Sequence, residues 1–316
     1  MTSVLPVVES VMDLVGATPV LHLHALVPPG AAEVYAKLEY MNPGGSIKDR
    51  TAIGLIQAGE RAGHLRPGST IIEPTAGNTG IGLAMIGVAR GYTVIVCVPE
   101  RFSAEKVHVM AALGAQVIRT PSEEGMQGAI RRAHALAATI PNSYVPQQFE
   151  NPSNPDFHYE TTAPEIYQQM EGNLDAVVIG VGTGGTFTGV ARYLKERIPH
   201  LRAIVVEPEG SILRGGIPKP HRVEGIGVSF IPKTFDGTLA DDIVAVSDAN
   251  AFGTVIKLAR LEGVLAGGSG GANVYAALQE ALYLGPGKRV LTIVPDGAER
   301  YLSKGIFTGE PESAGD

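Results

Sequence analysis

Short runs of β-branched and aliphatic residues alternate along the chain with longer stretches in which apolar side chains recur every three or four positions. The runs at 70–73, 93–98, 116–119, 176–181, 203–207, 243–246 and 289–294 are bounded by glycine, proline or polar clusters and read as strands. The stretches at 79–90, 103–113, 123–138, 186–197, 248–262 and 272–284 carry the helical period. Such alternation predicts an α/β fold with largely parallel sheets, whose functional loops follow the carboxyl ends of the strands. Residues 146–155, rich in Pro, Asn and Gln, separate two such series and read as a crossing between domains. No repeat or low-complexity segment interrupts this order, and the polar tail after Gly309 reads as mobile.

A chain of 316 residues exceeds the usual single-domain size, so two lobes sharing a cleft are expected. A net charge of −7 without a block of like charges argues against nucleic acid or an anionic membrane as the main partner, which leaves small molecules. The N-terminus lacks a basic stretch followed by an apolar one, and no apolar run approaches the roughly 18 residues of a membrane span, so a soluble, cytoplasmic protein is expected. The single cysteine, Cys97, lies within Val94-Ile95-Val96-Cys97-Val98 and reads as a buried strand thiol, so disulfides cannot shape the fold. The eight histidines form no metal-ligand spacing, and no Walker motif occurs.

Candidate chemistry concentrates in a few stretches. Gly44-Gly45-Ser46-Ile47-Lys48-Asp49-Arg50 puts an amine in a first helical turn behind a turn and N-cap formed by Pro43 to Ser46; there Lys48 would be poorly solvated and easily deprotonated. Asp49 and Arg50 read as a structural pair. Glu73-Pro74-Thr75-Ala76-Gly77-Asn78-Thr79-Gly80 offers hydroxyls, an amide and backbone N–H groups to a carboxylate at a second helix start. Gly180-Val181-Gly182-Thr183-Gly184-Gly185 spells a dinucleotide fingerprint, but it lies mid-chain, and the hydroxyls of Thr183 and Thr186 suit a compact terminal phosphate better. Ser269, within Gly267-Gly268-Ser269-Gly270-Gly271, reads on spacing alone as a helix cap, with a cleft-facing role as the alternative.

Taken together with Gly16-Ala17-Thr18-Pro19, Gln147-Gln148-Phe149 and Glu224-Gly225-Ile226-Gly227, these motifs resemble the cysteine synthase/cystathionine β-synthase family of fold-type II pyridoxal phosphate enzymes across residues 10 to 307. The resemblance implies a two-lobed, tryptophan synthase β-like fold with parallel-rich sheets flanked by helices. Residues 46–150 would form a smaller mobile domain carrying the substrate-carboxylate loop, and 1–45 with 151–316 a larger domain binding the cofactor phosphate. By resemblance, Lys48 would carry pyridoxal 5′-phosphate as a Schiff base and act as the catalytic acid and base. Asn78 would bond the ring 3′-oxygen, Gly182, Thr183, Gly184, Gly185 and Thr186 would hold the phosphate, and Ser269 would face the pyridine nitrogen. Thr75, Gly77, Thr79 and Gln148 would bind the substrate carboxylate, and Glu224 would attract the ammonium of an amino-acid acceptor.

The chemistry implied is β-replacement on O-acetyl-L-serine or L-serine by a thiol. Phe102-Ser103-Ala104-Glu105-Lys106-Val107, His158-Tyr159-Glu160-Thr161-Thr162 and Glu207-Pro208-Glu209-Gly210-Ser211 are more similar to cystathionine β-synthases, above all the bacterial O-acetylserine-dependent ones, which favours homocysteine as acceptor. Sulfide as acceptor, as in a cysteine synthase, is the alternative. Ala76 stands where the family commonly has serine, and the sequence carries neither a haem segment nor a regulatory module, so redox or S-adenosylmethionine control is not expected. The resemblance also implies a homodimer. A serine acetyltransferase C-terminal peptide is a candidate partner, and an inactive partner-binding relative is the reading from another class; an NAD-linked dehydrogenase would leave Lys48 and Asn78 unexplained.

Overall fold

A computed structural model describes residues 7–75, 77–100 and 102–307; the readings made on Ala76 and on the tail after Gly309 lie outside these residues. Its strands are β1 (Val20–Leu23), β2 (Glu33–Leu38), β3 (Thr70–Pro74), β4 (Thr93–Pro99), β5 (Gln116–Thr120), β6 (Ser143–Tyr144), β7 (Ala176–Gly180), β8 (Arg202–Pro208), β9 (Asp242–Val246) and β10 (Arg289–Val294). The α-helices are α1 (Lys48–Arg61), α2 (Asn78–Ala89), α3 (Ala104–Ala112), α4 (Gly125–Ala137), α5 (Ser153–Phe157), α6 (Ala163–Gln169), α7 (Gly185–Arg197), α8 (Asp248–Lys257) and α9 (Gly268–Leu284). A π-helical turn, His158–Thr162, joins α5 to α6.

Among the described residues the strands form two sheets, a six-stranded one in the order β1-β2-β10-β7-β8-β9 and a four-stranded one in the order β5-β4-β3-β6. Every pairing is parallel except β1 with β2, where His22 faces Tyr35. Strands buried on both faces read as unbroken apolar runs, which is why β4 (Val94 to Val98) and β7 (Val177 to Ile179) stand out in the sequence. Successive residues of β7 feed opposite layers: Ala176 and Val178 pack toward α8 and α9, Val177 and Ile179 toward α6 and α7. The smaller sheet is covered in the same way, by α1 and α2 on one face and α4 on the other.

Helix α9 begins four residues before the predicted position 272, and Gly268, Ser269, Gly270 and Gly271 form its first turn. Glycine is poor in helices, yet here it permits close packing. A Cβ at Gly271 would lie 2.2 Å from the Ala251 carbonyl oxygen of α8. Cys97 is fully buried in β4, and burial pushes its thiol up to about 11, an inert environment for a nucleophile. Among the described residues no helix is long and apolar enough to cross a membrane.

Candidate active site

The ends of three parallel strands supply the loops of one cleft: β3 leads into the Asn78 turn, β7 into the 182–186 loop, and β10 into Pro295 and Asp296. The start of α1 is fastened to the last of these, since Ile47 donates its N–H to the Pro295 carbonyl at 2.9 Å and Ser46 bridges Asp296. The N-cap of α1 is Ile47 rather than Ser46. Backbone bonds from Asp49 to Ser46 and from Arg50 to Ile47 wind the entry tightly, and the Ser46 hydroxyl accepts the Lys48 N–H at 3.2 Å.

Lys48 lines the same cavity as Gly182, Thr183, Gly184 and Thr186. Burial pushes its ammonium down to about 8, against the opposing pull of the Asp296 and Glu39 carboxylates. Asp49 and Arg50 do not pair with each other. Asp49 accepts the Gly44 N–H at 2.6 Å and is pushed up to about 7 by burial. Arg50 points the other way and spans Glu39 (2.8 Å) and Glu165 (2.7 Å), because the buried Glu39 carboxylate just after β2 and the half-buried Glu165 carboxylate of α6 need a cation between them.

Around the Asn78 turn, Thr75 Oγ1 accepts the Gly77 N–H at 2.9 Å, and Thr79 Oγ1 donates to Gln148 Oε1 at 2.6 Å. Gln148 Nε2 in turn donates to the Pro74 carbonyl at 3.1 Å, so Thr75, Gly77, Thr79 and Gln148 form one knot. Asn78 faces the other sheet: its Nδ2 donates to Asp296 Oδ2 at 2.6 Å, and Arg300 donates to its Oδ1 at 2.9 Å. In the 182–186 loop, Thr186 Oγ1 lies 3.2 Å from His158 Nε2, and α7 starts at Gly185 with its N-terminus opening on the cavity.

Ser269 is buried at the start of α9, but the N-cap is Gly267 and no side chain caps that helix, so spacing alone misplaced the serine. It sits behind Gly225, whose segment lines the cavity. Glu224 is no solvated loop carboxylate. It binds the Lys106 ammonium at 2.8 Å, and the same ammonium donates to Tyr301 Oη at 3.0 Å.

Several groups bonded to the site residues or packed close to them were given no role by the sequence reading. Asp296 and Arg300 follow the last strand, a position whose parallel-strand carboxyl end was a usable signal. Glu73 accepts the N–H groups of Gln147 and Gln148 at 3.0 and 3.1 Å and is pushed up to about 8 by burial. His158, enclosed by Thr51, Thr162 and Thr186, is held well below the ordinary imidazole value by burial and by the nearby Lys48 and Arg50 charges, so it is neutral. Asn154 lies beside it, fully buried.

A family model described as pyridoxal-phosphate dependent enzyme matches residues 11–296. The chain is 52% identical over 304 residues to a cysteine synthase of Helicobacter pylori, covering 95% of this chain and 99% of that one. It is 48% identical over 303 residues to an O-acetylserine dependent cystathionine beta-synthase of Bacillus subtilis, covering 96% and 99%. The crystal structure of O-acetylserine dependent cystathionine beta-synthase from Helicobacter pylori superposes with a TM-score of 0.93 at 51% identity, covering 96% of this chain and 100% of that one.

Proposed function

The chain belongs to the pyridoxal-phosphate dependent enzymes, within the cysteine synthase and O-acetylserine-dependent cystathionine β-synthase type, and from that premise we propose that it joins O-acetyl-L-serine to homocysteine, releasing acetate and forming cystathionine. The observation that carries this reading is the half-buried Lys48 lining one cavity with the glycine-rich 182–186 loop. The residues fit the cofactor. Among the described residues Lys48 makes no side-chain hydrogen bond, and the buried oxygens Asn273 Oδ1 and Asp296 Oδ1 beside the cavity have no hydrogen-bond partner. Such orphaned polar atoms are what a bound polar group would satisfy.

When bound, pyridoxal phosphate supplies the electron sink that acidifies the substrate Cα–H and lets the β-substituent depart. Lys48 would hold the cofactor through its Nζ, and the same amine would take up the substrate Cα proton and return it after the thiol has added. The loop N–H groups and the Thr183 and Thr186 hydroxyls hold the phosphate at the start of α7. Asn78 keeps a second Nδ2–H, beyond the one given to Asp296, for the ring oxygen. Ser269, neutral where a carboxylate would favour a protonated ring, favours prompt loss of the β-substituent. Thr75, Gly77, Thr79 and Gln148 take the substrate carboxylate. Residues 46–150 close over the site as a mobile lobe and exclude water. The same premise carries a homodimer in the cytoplasm, testable by sedimentation.

Sulfide as acceptor is equally supported by the comparisons, since the 52% identical relative and others at 46 to 50% identity bear the cysteine synthase name. Steady-state rates with O-acetylserine or serine as donor, each against homocysteine or sulfide, decide between them. The expected result is the highest kcat/KM for O-acetylserine with homocysteine; a higher value with sulfide would make this a cysteine synthase.

Two further expectations follow from the geometry. An aldehyde reacts only with the neutral amine, the form present above its pKa. Cofactor uptake by the cofactor-free protein should therefore rise about tenfold per pH unit below 8 and level off above it; a rise continuing toward 10.5 would mean an ordinary lysine. An arriving homocysteine ammonium would share Glu224 with Lys106, an interaction worth about 0.2–1 kcal/mol or more in the closed site. Glu224→Gln should raise KM for homocysteine several-fold and spare sulfide. Equal losses with both acceptors would assign Glu224 to the loop's structure.

A further inference from the structure

Asn154, the second residue of α5, is fully buried and divides its amide nitrogen between two separate segments. Nδ2 donates to the Gln148 carbonyl at 2.8 Å and to Thr183 Oγ1 at 3.0 Å. A carbonyl oxygen only accepts, so the amide must present its nitrogen to Gln148, and Oδ1 is left facing Thr51 Oγ1, 3.5 Å away on α1. The backbone of the 182–186 loop packs directly on this amide: a Cβ at Gly185 would lie 2.1 Å from Asn154 Oδ1.

We propose that Asn154 is a positioning residue that couples the substrate-carboxylate segment at Gln148 to the cofactor-phosphate loop at Thr183. The inference rests on the functional reading above, which gives those two segments their ligands. Because Thr183 Oγ1 accepts from Asn154, and more weakly from the Gly185 N–H at 3.5 Å, its own proton remains free to be given to an anion. An anion drawing on that proton strengthens the bond behind it, and the same amide fixes the Gln148 backbone. Gln148 is held from the other side by Glu73, which accepts its N–H, so its carbonyl and N–H are both fixed while its side chain meets Thr79. One side chain thus sets the relative placement of both binding segments.

Asn154→Asp keeps the shape and removes both N–H donors. A carboxylate oxygen would then oppose the Gln148 carbonyl, and the Thr183 proton would turn to the new carboxylate and away from the phosphate. In the holoenzyme, the expected result is an increase of about tenfold in KM for O-acetylserine together with an increase of about tenfold in the rate of cofactor release, each the size of one hydrogen bond to a charged group. For comparison, Gln148→Ala should move mainly the KM, and Thr183→Val mainly the release rate. Should Asn154→Asp not accumulate as folded protein, Asn154→Ala is read by the same two constants. If a folded variant leaves both constants at their wild-type values, Asn154 merely fills space, and if only one moves, there is no coupling; either result overturns the proposal. Failure of the functional reading would show instead in the wild-type enzyme, as absence of cofactor-dependent turnover with any donor and acceptor pair.

Discussion

Replacing Lys48 by Ala should lower cystathionine formation by at least about 10²–10⁴-fold, the usual contribution of a single positioned proton-transfer group, while the protein stays folded. The two halves of this expectation have separate grounds. Turnover falls because the amine that, among the described residues, lines the cavity with the 182–186 loop is gone. The fold survives because Lys48 makes no side-chain hydrogen bond among the described residues, so its loss orphans no partner, and alanine is well suited to a helix. A second amine, Lys106, packs against Gly77 of the Asn78 turn and is already bound to Glu224 and Tyr301. Initial rates, circular dichroism and visible absorbance of the bound cofactor would be compared with wild type. Near-normal turnover in Lys48→Ala would move the chemistry to another amine, with Lys106 the first to substitute.

Arg50→Met should cost about 3–5 kcal/mol of stability, the usual penalty for removing one partner of a buried ion cluster. Glu39 is fully buried and takes Arg50 at 2.8 Å, while Glu165 takes it at 2.7 Å and Lys37 at 3.0 Å. Burial alone would raise the Glu165 carboxyl, yet Arg50 and Lys37 bring it down to about 2. Its ionised form is thus favoured in the folded state; that stability is present above about 4.5 and lost as pH falls through about 2. Without Arg50, Lys37 cannot satisfy both carboxylates. Methionine matches the stem of the arginine but brings no charge. Urea unfolding at pH 7 should show the midpoint moving down with little change in slope. An unmoved midpoint would mean that Lys37 and water compensate fully.

The strands that were evident in the sequence are those buried on both faces, where apolar residues run together, as in β4, β7 and β10. Strand β2 was not, because its Lys37 lies buried inside the sheet and reads as a solvent-facing break until Glu165 is known to sit against it. The stretch from α5 through the π-helical turn to α6 was missed for a related reason. Its buried side chains include Asn154, His158 and Thr162, so it has no apolar period, and the polar groups that disguise it as a loop are those bound to Thr183 and Thr186. Glycine-rich turns after strands were readable because close backbone approach leaves its mark in the sequence itself. The partners of Asn78 were not, since Asp296 and Arg300 lie more than two hundred residues away along the chain.

The strand order also dictates when this protein can fold during its synthesis. Residues 70–144 supply the whole four-stranded sheet from one continuous stretch, so it can assemble as soon as that stretch has left the ribosome. The six-stranded sheet cannot. Its strand β10, residues 289 to 294, lies between β2 and β7 and is made last of the three. Until it arrives, β2 and β7 each wait with an open hydrogen-bonding edge, the kind of surface that recruits other chains. A nascent or truncated chain ending before Arg289 therefore carries two sticky edges and a half-built sheet, and its fate turns on chaperones and the speed of translation as much as on the stability of the finished molecule.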